Sequence, residues 1–422
     1  MKRKKSSPWI ILLAIVLAIV IGTISGKEAS FLNIRYYDLY QWIGTLFLNA
    51  LTLIVVPLVS SSIISGIAKI GNEKDFSRIG GKTFIFYLGT SLIAILIGLF
   101  FVNLIDPGLM GGAPSLDREL IENVEERVTT TEGKQIANLF LQIIPPNIFE
   151  AFSKGQMLSI IFFSLIFGYV LSKIESNASA VLIAFWQGVF QAMIQITHIF
   201  MKFLPLGVFC LVAKVFAETG LASLARVGLF TVTVLAGLAT FMFVILPILL
   251  KVIAKVKPVR HFRAMAPALV TAFSTSSSSA TLPITMDCVE KRAGVSNRIT
   301  SLVIPLGTSI NMSGSALYEC VAAMFVAQAY GIEISFLTQV LVVFLSLLTS
   351  IGVAGVPSAS LVAILIILKA IGLPPEGLGL FIAVDRILDM CRTTINVFSD
   401  SCCAILVAST EGEHVLSEPV VE

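Results

Sequence analysis

The sequence predicts an all-α polytopic membrane protein of eight transmembrane helices plus two re-entrant helical hairpins, arranged as inverted repeats. Three observations predict it. The chain has 422 residues, 56% hydrophobic and only 13% charged, where a soluble domain carries about a quarter charged residues. Many of its apolar stretches reach the roughly 20 residues that cross a bilayer. Two further hydrophobic segments are broken at their centres by Ser, Gly and Pro, and their flanks have one enter and return from the cytoplasmic side and the other from outside, as in inverted-repeat architectures.

The elements follow in order. "MKRKKSS" precedes the apolar run "PWIILLAIVLAIVIG". That run is long for a signal-peptide core, no A-x-A site follows it and more spans come soon after, so a first transmembrane helix over 8–27 with a cytoplasmic N-terminus is expected. Further apolar blocks fall near 39–68, 83–105, 157–187, 188–217 and 225–253. Lys69, Lys74, Arg78 and Lys82 make the second loop basic, hence cytoplasmic. The acidic stretch "DPGLMGGAPSLDRELIENVEERVTTTEGKQ" is the one soluble excursion and belongs outside. Lys251, Lys255, Lys257, Arg260 and Arg263 bring the chain back to the cytoplasm.

"AMAPALVTAFSTSSSSATLPITMDCV" is too polar at its centre for an ordinary span. It has basic residues on both sides, Arg260 and Arg263 before it and Lys291, Arg292 and Arg298 after it. Both ends are therefore cytoplasmic, and the segment enters and returns with a serine-rich tip at Ser276, Ser277 and Ser278. Non-helical backbone at membrane depth survives only where protein or a water-filled cavity covers it. The second broken segment runs from "SFLTQVLVVF" to "LKAIGLPPEG", with "SIGVAGVPSAS" at its centre and flanks poor in basic residues, which suits entry from outside. For each break an ordinary kinked helix is the alternative. Between them, "SLVIPLGTSINMSGSALYECVAAMFVAQAYG" reads as a helix broken near "NMSGS". Thr308, Ser309, Asn311, Ser313 and Ser315 would offer oxygens there, the environment of hard cations.

The last apolar segment contains "DRILDMCRTTINVFSD". Asp385, Asp389, Arg392, Asn396 and Asp400 fall within one polar stripe roughly 80° wide on a helix. Ionisable groups inside a membrane are costly and mark substrate or ion paths. Asp389 can take an ammonium group, and Arg392 offers a planar fork to a carboxylate. Hydroxyls and free N–H groups at the hairpin tips can hold a second carboxylate. Together these suit a zwitterion with an extra carboxylate. An internal Asp389–Arg392 ion pair with a structural role is the alternative.

Other residue types add little. Cys210, Cys288, Cys320, Cys391, Cys402 and Cys403 show neither C-x-x-C nor metal spacing and read as packing residues. His198, His261 and His414 are scattered. No cofactor and no nucleic-acid partner are expected. Ser276–Ser279 lack a partnered base, which argues against an intramembrane enzyme. A substrate-gated channel or receptor is the competing functional class.

With these motifs in view, the chain resembles the glutamate transporter family, the dicarboxylate/amino acid:cation symporters. The motifs are "STSSSSATLP", "NMSGSALYE" where the family usually has N-M-D-G-T, "SIGVAGVP" and "DMCRTTINVFSD". The resemblance implies a homotrimer working by an elevator mechanism and surrounded by membrane lipid; the short basic N-terminus suits a bacterial inner membrane, and both termini are expected in the cytoplasm. It implies a scaffold over 1–82 and 106–220, the latter including the outer loop, and a transport domain over 83–105 and 221–410. A cytoplasmic tail over 411–422 completes the chain. It also implies uptake of L-glutamate or L-aspartate. Asp389 would bind the ammonium and Arg392 the side-chain carboxylate, with Ser276, Ser277, Ser278, Ser315, Thr393, Asn396 and the backbone at Val356 completing the pocket. Arginine at 392 matches acidic-substrate members, and Asp389 separates amino acid carriers from plain C4-dicarboxylate carriers.

For cations, the resemblance implies one sodium site from Gly307, Asn311, Asn396 and Asp400. A second uses Ser309 with the carbonyls of Ser350 and Ile351. A third uses Tyr87, Thr90, Ser91, Asn311 and position 313. There the family's aspartate is Ser313, and Ser399 replaces the glycine that usually precedes the last aspartate. Glu319 stands where some relatives carry a transported proton, and a desolvated carboxyl holds a proton more readily than an exposed one. Proton coupling is therefore the first expectation and sodium coupling the second.

Overall fold

A computed structural model describes residues 8–31, 34–70, 74–109, 144–154, 157–174, 177–219, 222–352 and 360–416. Apart from a two-residue antiparallel ribbon that pairs Ser30 with Arg35, which the sequence reading did not foresee, its regular structure is helical. The helices are α1 (Pro8–Ser25), α2 (Tyr36–Ile70), α3 (Lys74–Ile105), α4 (Ile148–Lys154), α5 (Met157–Leu171), α6 (Asn177–Phe200), α7 (Leu204–Thr219), α8 (Ala222–Thr240), α9 (Leu246–Val252), α10 (Pro258–Thr275), α11 (Ser278–Asp287), α12 (Asn297–Ile310), α13 (Ser313–Ala329), α14 (Phe336–Gly352), α15 (Ser360–Ala370) and α16 (Ile382–Thr410). Four helical stretches among the described residues are long and apolar enough to cross a membrane: Arg78–Ile105, Asn177–Ile196, Arg226–Val252 and Asn297–Ala329. The chain is an all-α integral membrane protein.

Several boundaries differ from expectation. The blocks at 157–187 and 188–217 are three helices, α5, α6 and α7. A turn after α5 is fixed by Ser179, whose hydroxyl donates to the Leu171 carbonyl at 2.6 Å. A 3₁₀ turn at Met201–Phe203 separates α6 from α7. Pro205 in the first turn of α7 explains that second break, since it has no N–H to continue the preceding ladder. Lys74, Arg78 and Lys82 are not loop residues but form the first turns of α3. The expected boundary between 82 and 83 therefore cuts a continuous helix. The block at 225–253 is one rod in which the π turn Phe241–Ile245 joins α8 to α9. Pro247 accounts for it by removing one ladder donor.

α13 lies at the centre. Every residue from Ser313 to Ala327 is buried, and the helix packs on α3, α8, α14, α15 and α16. A second group of contacts joins α1 to α7 and α2 to α5, α6 and α7. α10 and α11 pack on one another and on α16. The two-residue link between them turns through Ser276, which has the left-handed φ of 49°. The link then passes through extended Ser277, whose hydroxyl caps α11 by accepting from the Ala280 N–H at 3.2 Å. α14 and α15 also pack together.

Candidate functional site

The site is built on α16, where it passes the break between α12 and α13. The polar stripe of α16 faces inward: Asp385, Asp389, Arg392, Asn396 and Asp400 are all buried. Their spacing alone produces this, because residues three or four apart share one helical face.

Arg392 is fully enclosed, 0% exposed. Its Nη2 donates to Asp385 Oδ1 and to Asp389 Oδ1, each at 3.0 Å. Its guanidinium carbon lies 3.8 Å from the centre of the Tyr318 ring, a contact worth about 2 kcal/mol when desolvated. Tyr318 in turn donates to Asp385 Oδ1 at 3.0 Å, and its ring edge meets Phe381. Nε and Nη1 of Arg392 have no hydrogen-bond partner among the described residues. Buried donors are nearly always paired, so two idle N–H groups on a charged, sealed guanidinium are poised for a carboxylate supplied from elsewhere. The Asp389–Arg392 ion pair that the sequence offered as an alternative is present, and these idle donors remain beside it.

One turn further along α16, the Asn396 amide organises the start of α13. Its Oδ1 accepts from the Gly314 N–H at 2.8 Å. Its Nδ2 donates to Ser315 Oγ at 3.2 Å and to the Met312 sulfur at 3.4 Å. Thr393 is buried on the same stretch. Ser276 and Ser278 at the α10–α11 turn are buried too, and the Ser276 hydroxyl has no partner among the described residues. A serine held in the left-handed region with an idle buried hydroxyl is a strained arrangement of the kind found at ligand clamps. Val356 lies outside the described residues, as does the side chain of Ser309.

A second cluster of oxygens surrounds Asp400. Asn311 Nδ2 donates to Asp400 Oδ1 at 2.8 Å and to Ser399 Oγ at 3.1 Å. Asn311 Oδ1 accepts from Ser313 at 2.8 Å and from Ser91 at 3.4 Å. The Ser313 hydroxyl is also 3.1 Å from Ser91 and 3.4 Å from Ser399. The Tyr87 hydroxyl donates to the Val303 carbonyl at 2.6 Å, and Thr90 donates to the Phe86 carbonyl at 2.8 Å, which leaves oxygen lone pairs free on both. Gly307 has to be glycine: a Cβ there would meet Asp400 Oδ1 at 2.4 Å and the Tyr87 oxygen at 2.7 Å. The helix breaks at Asn311 and Met312, whose ψ values of 80° and 48° are not helical. One carboxylate among neutral oxygens suits a weakly charged hard cation.

Ser350 and Ile351 are buried at the end of α14. Glu319, fully buried on α13, accepts from Thr349 on α14 at 2.8 Å through Oε2, while its Oε1 has no partner among the described residues.

Sequence reasoning leaves out Tyr318, and it gives no specific role to Asp385, on the stripe, or to Ser399, noted only as a departure from the family motif. Asp385 had been placed on the stripe, so its spacing was the available signal. Tyr318 carried one only in its position three residues after Ser315, because the face of a uniformly buried helix has no amphipathic pattern to mark it.

The model of the sodium:dicarboxylate symporter family matches residues 8–410. The proton/sodium-glutamate symport protein of Bacillus caldotenax is 37% identical over 415 residues, 98% of this chain and 96% of that protein. The proton/glutamate-aspartate symporter of Escherichia coli is 34% identical, over 97% of this chain and 93% of that one. Human excitatory amino acid transporter 3 is 34% identical, over 95% and 85%. With residues 8–410 matched and its polar helix buried, the protein belongs to the sodium:dicarboxylate symporter family, a family of transporters and not of enzymes.

Proposed function

We propose that the chain is a secondary active symporter that takes up glutamate and aspartate together with cations, across a bacterial inner membrane. The observation that carries this is the buried Arg392, two of whose nitrogens have no partner among the described residues, next to Asp389. Arg392 binds the side-chain carboxylate of the amino acid and Asp389 its ammonium. Ser276, Ser277, Ser278, Ser315, Thr393, Asn396 and the backbone at Val356 close round the α-carboxylate and the carbon chain. The names of the relatives support the substrate, since glutamate or an excitatory amino acid appears in each.

The mechanism is of the elevator type in a homotrimer, with eight spans, two re-entrant hairpins (α10–α11 and α14–α15) in inverted repeats, and cytoplasmic termini. The scaffold comprises α1, α2 and α4–α7, and the mobile transport domain α3 and α8–α16. The packing of α1 and α2 mainly with α5, α6 and α7 favours this division. Protons are the coupling ion, carried by Glu319, which accepts a hydrogen bond from the neutral Thr349. A second reading, sodium coupling, is favoured by the oxygen cluster of Asp400, Asn311, Ser313, Ser91, Tyr87, Thr90 and Gly307, with Ser309, Ser350 and Ile351 as a further set. Relatives are named for both ions.

The test is uptake of labelled glutamate and aspartate into proteoliposomes with Na⁺ and H⁺ gradients imposed separately. Accumulation under at least one inward gradient, with each amino acid competing with the other, is expected. No accumulation under either overturns the proposal. Accumulation with Na⁺ absent and lower pH outside selects the proton.

A further inference from the structure

Arg386 has no part in the function proposed above. It opens the second turn of α16, near the N-terminal end, where the helix dipole does not favour a cation, so local helix energetics do not explain it. Its Nη1 is 3.6 Å from Asp389 Oδ2, with only 14% of its side chain exposed. Its Nε is buried without a partner among the described residues. At 3.6 Å the contact is an ion pair and not a hydrogen bond, so it can be displaced without loss of fixed geometry.

The charges around it fall into a pattern. Asp385 and Asp389 share a single nitrogen of Arg392. Two carboxylates against one guanidinium leave one negative charge over in the empty site. Arg386, three residues before Asp389 on the same face, supplies the missing positive charge. When an amino acid binds, its ammonium supplies that charge instead. The long arginine stem then lets the head withdraw toward the polar end of the helix.

We propose that Arg386 is a resident stand-in for the substrate ammonium: it neutralises Asp389 while the carrier is empty and yields the carboxylate when substrate arrives. The inference rests on the amino acid transport proposed above. It makes Arg386 a positioning residue that acts on Asp389, with two opposite consequences. Arg386 competes with substrate for Asp389, and it keeps the empty site neutral for the return through the membrane.

The experiment compares the unsubstituted protein, Arg386→Gln and Arg386→Lys in three readouts. These are glutamate and aspartate binding by calorimetry in detergent, exchange of internal for external labelled glutamate in proteoliposomes, and net accumulation with inward Na⁺ and H⁺ gradients together. Exchange needs no empty return; net accumulation does. In Arg386→Gln, binding should tighten roughly fivefold and exchange should persist. Net accumulation should fall roughly tenfold, because the surplus negative charge of the Asp385–Asp389–Arg392 group must then cross without a counter-charge from Arg386. Arg386→Lys, which keeps the charge, should restore net accumulation. Equal losses of exchange and net accumulation, or binding that weakens in Arg386→Gln, overturn the proposal. Unaltered behaviour of Arg386→Gln in all three readouts does so as well. If the unsubstituted protein binds neither amino acid, the transport function itself fails and the inference with it.

Discussion

In the function proposed above, substrate class turns on Arg392. Its charge is held by Asp385, Asp389 and the Tyr318 face, so it stays buried while its idle nitrogens wait for an anion. Arg392→Cys removes the cation that faces the side-chain carboxylate. Losing one partner of a buried charged pair costs about 3–5 kcal/mol, so binding of glutamate and aspartate should fall by roughly two to four orders of magnitude while small neutral amino acids begin to compete. Competition binding checks this, and unchanged glutamate affinity would remove Arg392 from the site. Asp389→Asn should weaken amino acids far more than succinate, which has no ammonium to lose. Both residues were legible in the sequence, because a charge in an apolar helix announces itself and a spacing of three fixes a shared face. Their neighbours were less so. Tyr318 comes from a helix with no polar face, and its position over Arg392 depends on how α13 and α16 cross.

At the scale of elements, the break between α12 and α13 was legible because Asn311 to Ser315 interrupt an apolar run with small polar residues. The division of α5, α6 and α7 was not. The polarity that ends α5 and the proline that opens α7 are modest signals within a long apolar region. The break at Asn311 brings Ser313 to Ser91, Asn311 and Ser399. Ser313→Asp would place an extra carboxylate in that fully buried cluster, stable only with a cation bound. Na⁺ should therefore raise the melting temperature of Ser313→Asp more than that of the unsubstituted protein, since a ligand that binds only the folded state stabilises it. Equal Na⁺ shifts in the two proteins would show that position 313 touches no cation. The end of α16 makes another junction that no sequence pattern revealed. Glu411 pairs with Lys82 at 2.6 Å and with Arg78. Glu413 accepts from the Ser296 N–H at 3.0 Å, and the Leu416 N–H donates to the Ala293 carbonyl at 2.9 Å. The hydrogen bond from Lys82, followed by that from Arg78, holds the Glu411 carboxyl below its ordinary pKa. A depressed carboxyl contributes stability that is present above its unfolded pKa and lost as pH falls through the folded value. Glu411→Gln should thus melt about 2 °C lower at pH 7, and the difference should close as the pH drops below the usual carboxylate range.

For the whole molecule, the question is which ion makes uptake concentrative, and the decisive geometry is the separation of two devices. Asp400 and its hydroxyl neighbours sit where α3, α12 and α16 meet. Glu319 sits where α13 meets α14, with Thr349 as the donor from α14. A carrier driven by protons must move Glu319 through the membrane in two states: protonated with substrate in one direction, and emptied of its proton on the other side before the next cycle. Glutamine at this position imitates the protonated state permanently. Glu319→Gln should therefore keep exchange of internal for external glutamate, which never requires the deprotonated carrier. It should lose accumulation driven by an inward proton gradient. Thr349→Val leaves the carboxyl in place and removes its donor, so it should alter the pH profile of uptake without abolishing accumulation, and Thr349→Ser should restore that profile. If sodium is the driving ion through the Asp400 cluster, the outcomes invert. Glu319→Gln would still accumulate glutamate under a Na⁺ gradient at equal pH, and Asp400→Asn would lose that accumulation. Measuring exchange and net uptake for both variants under each gradient separates the two cases, because each device is altered while the other is left intact.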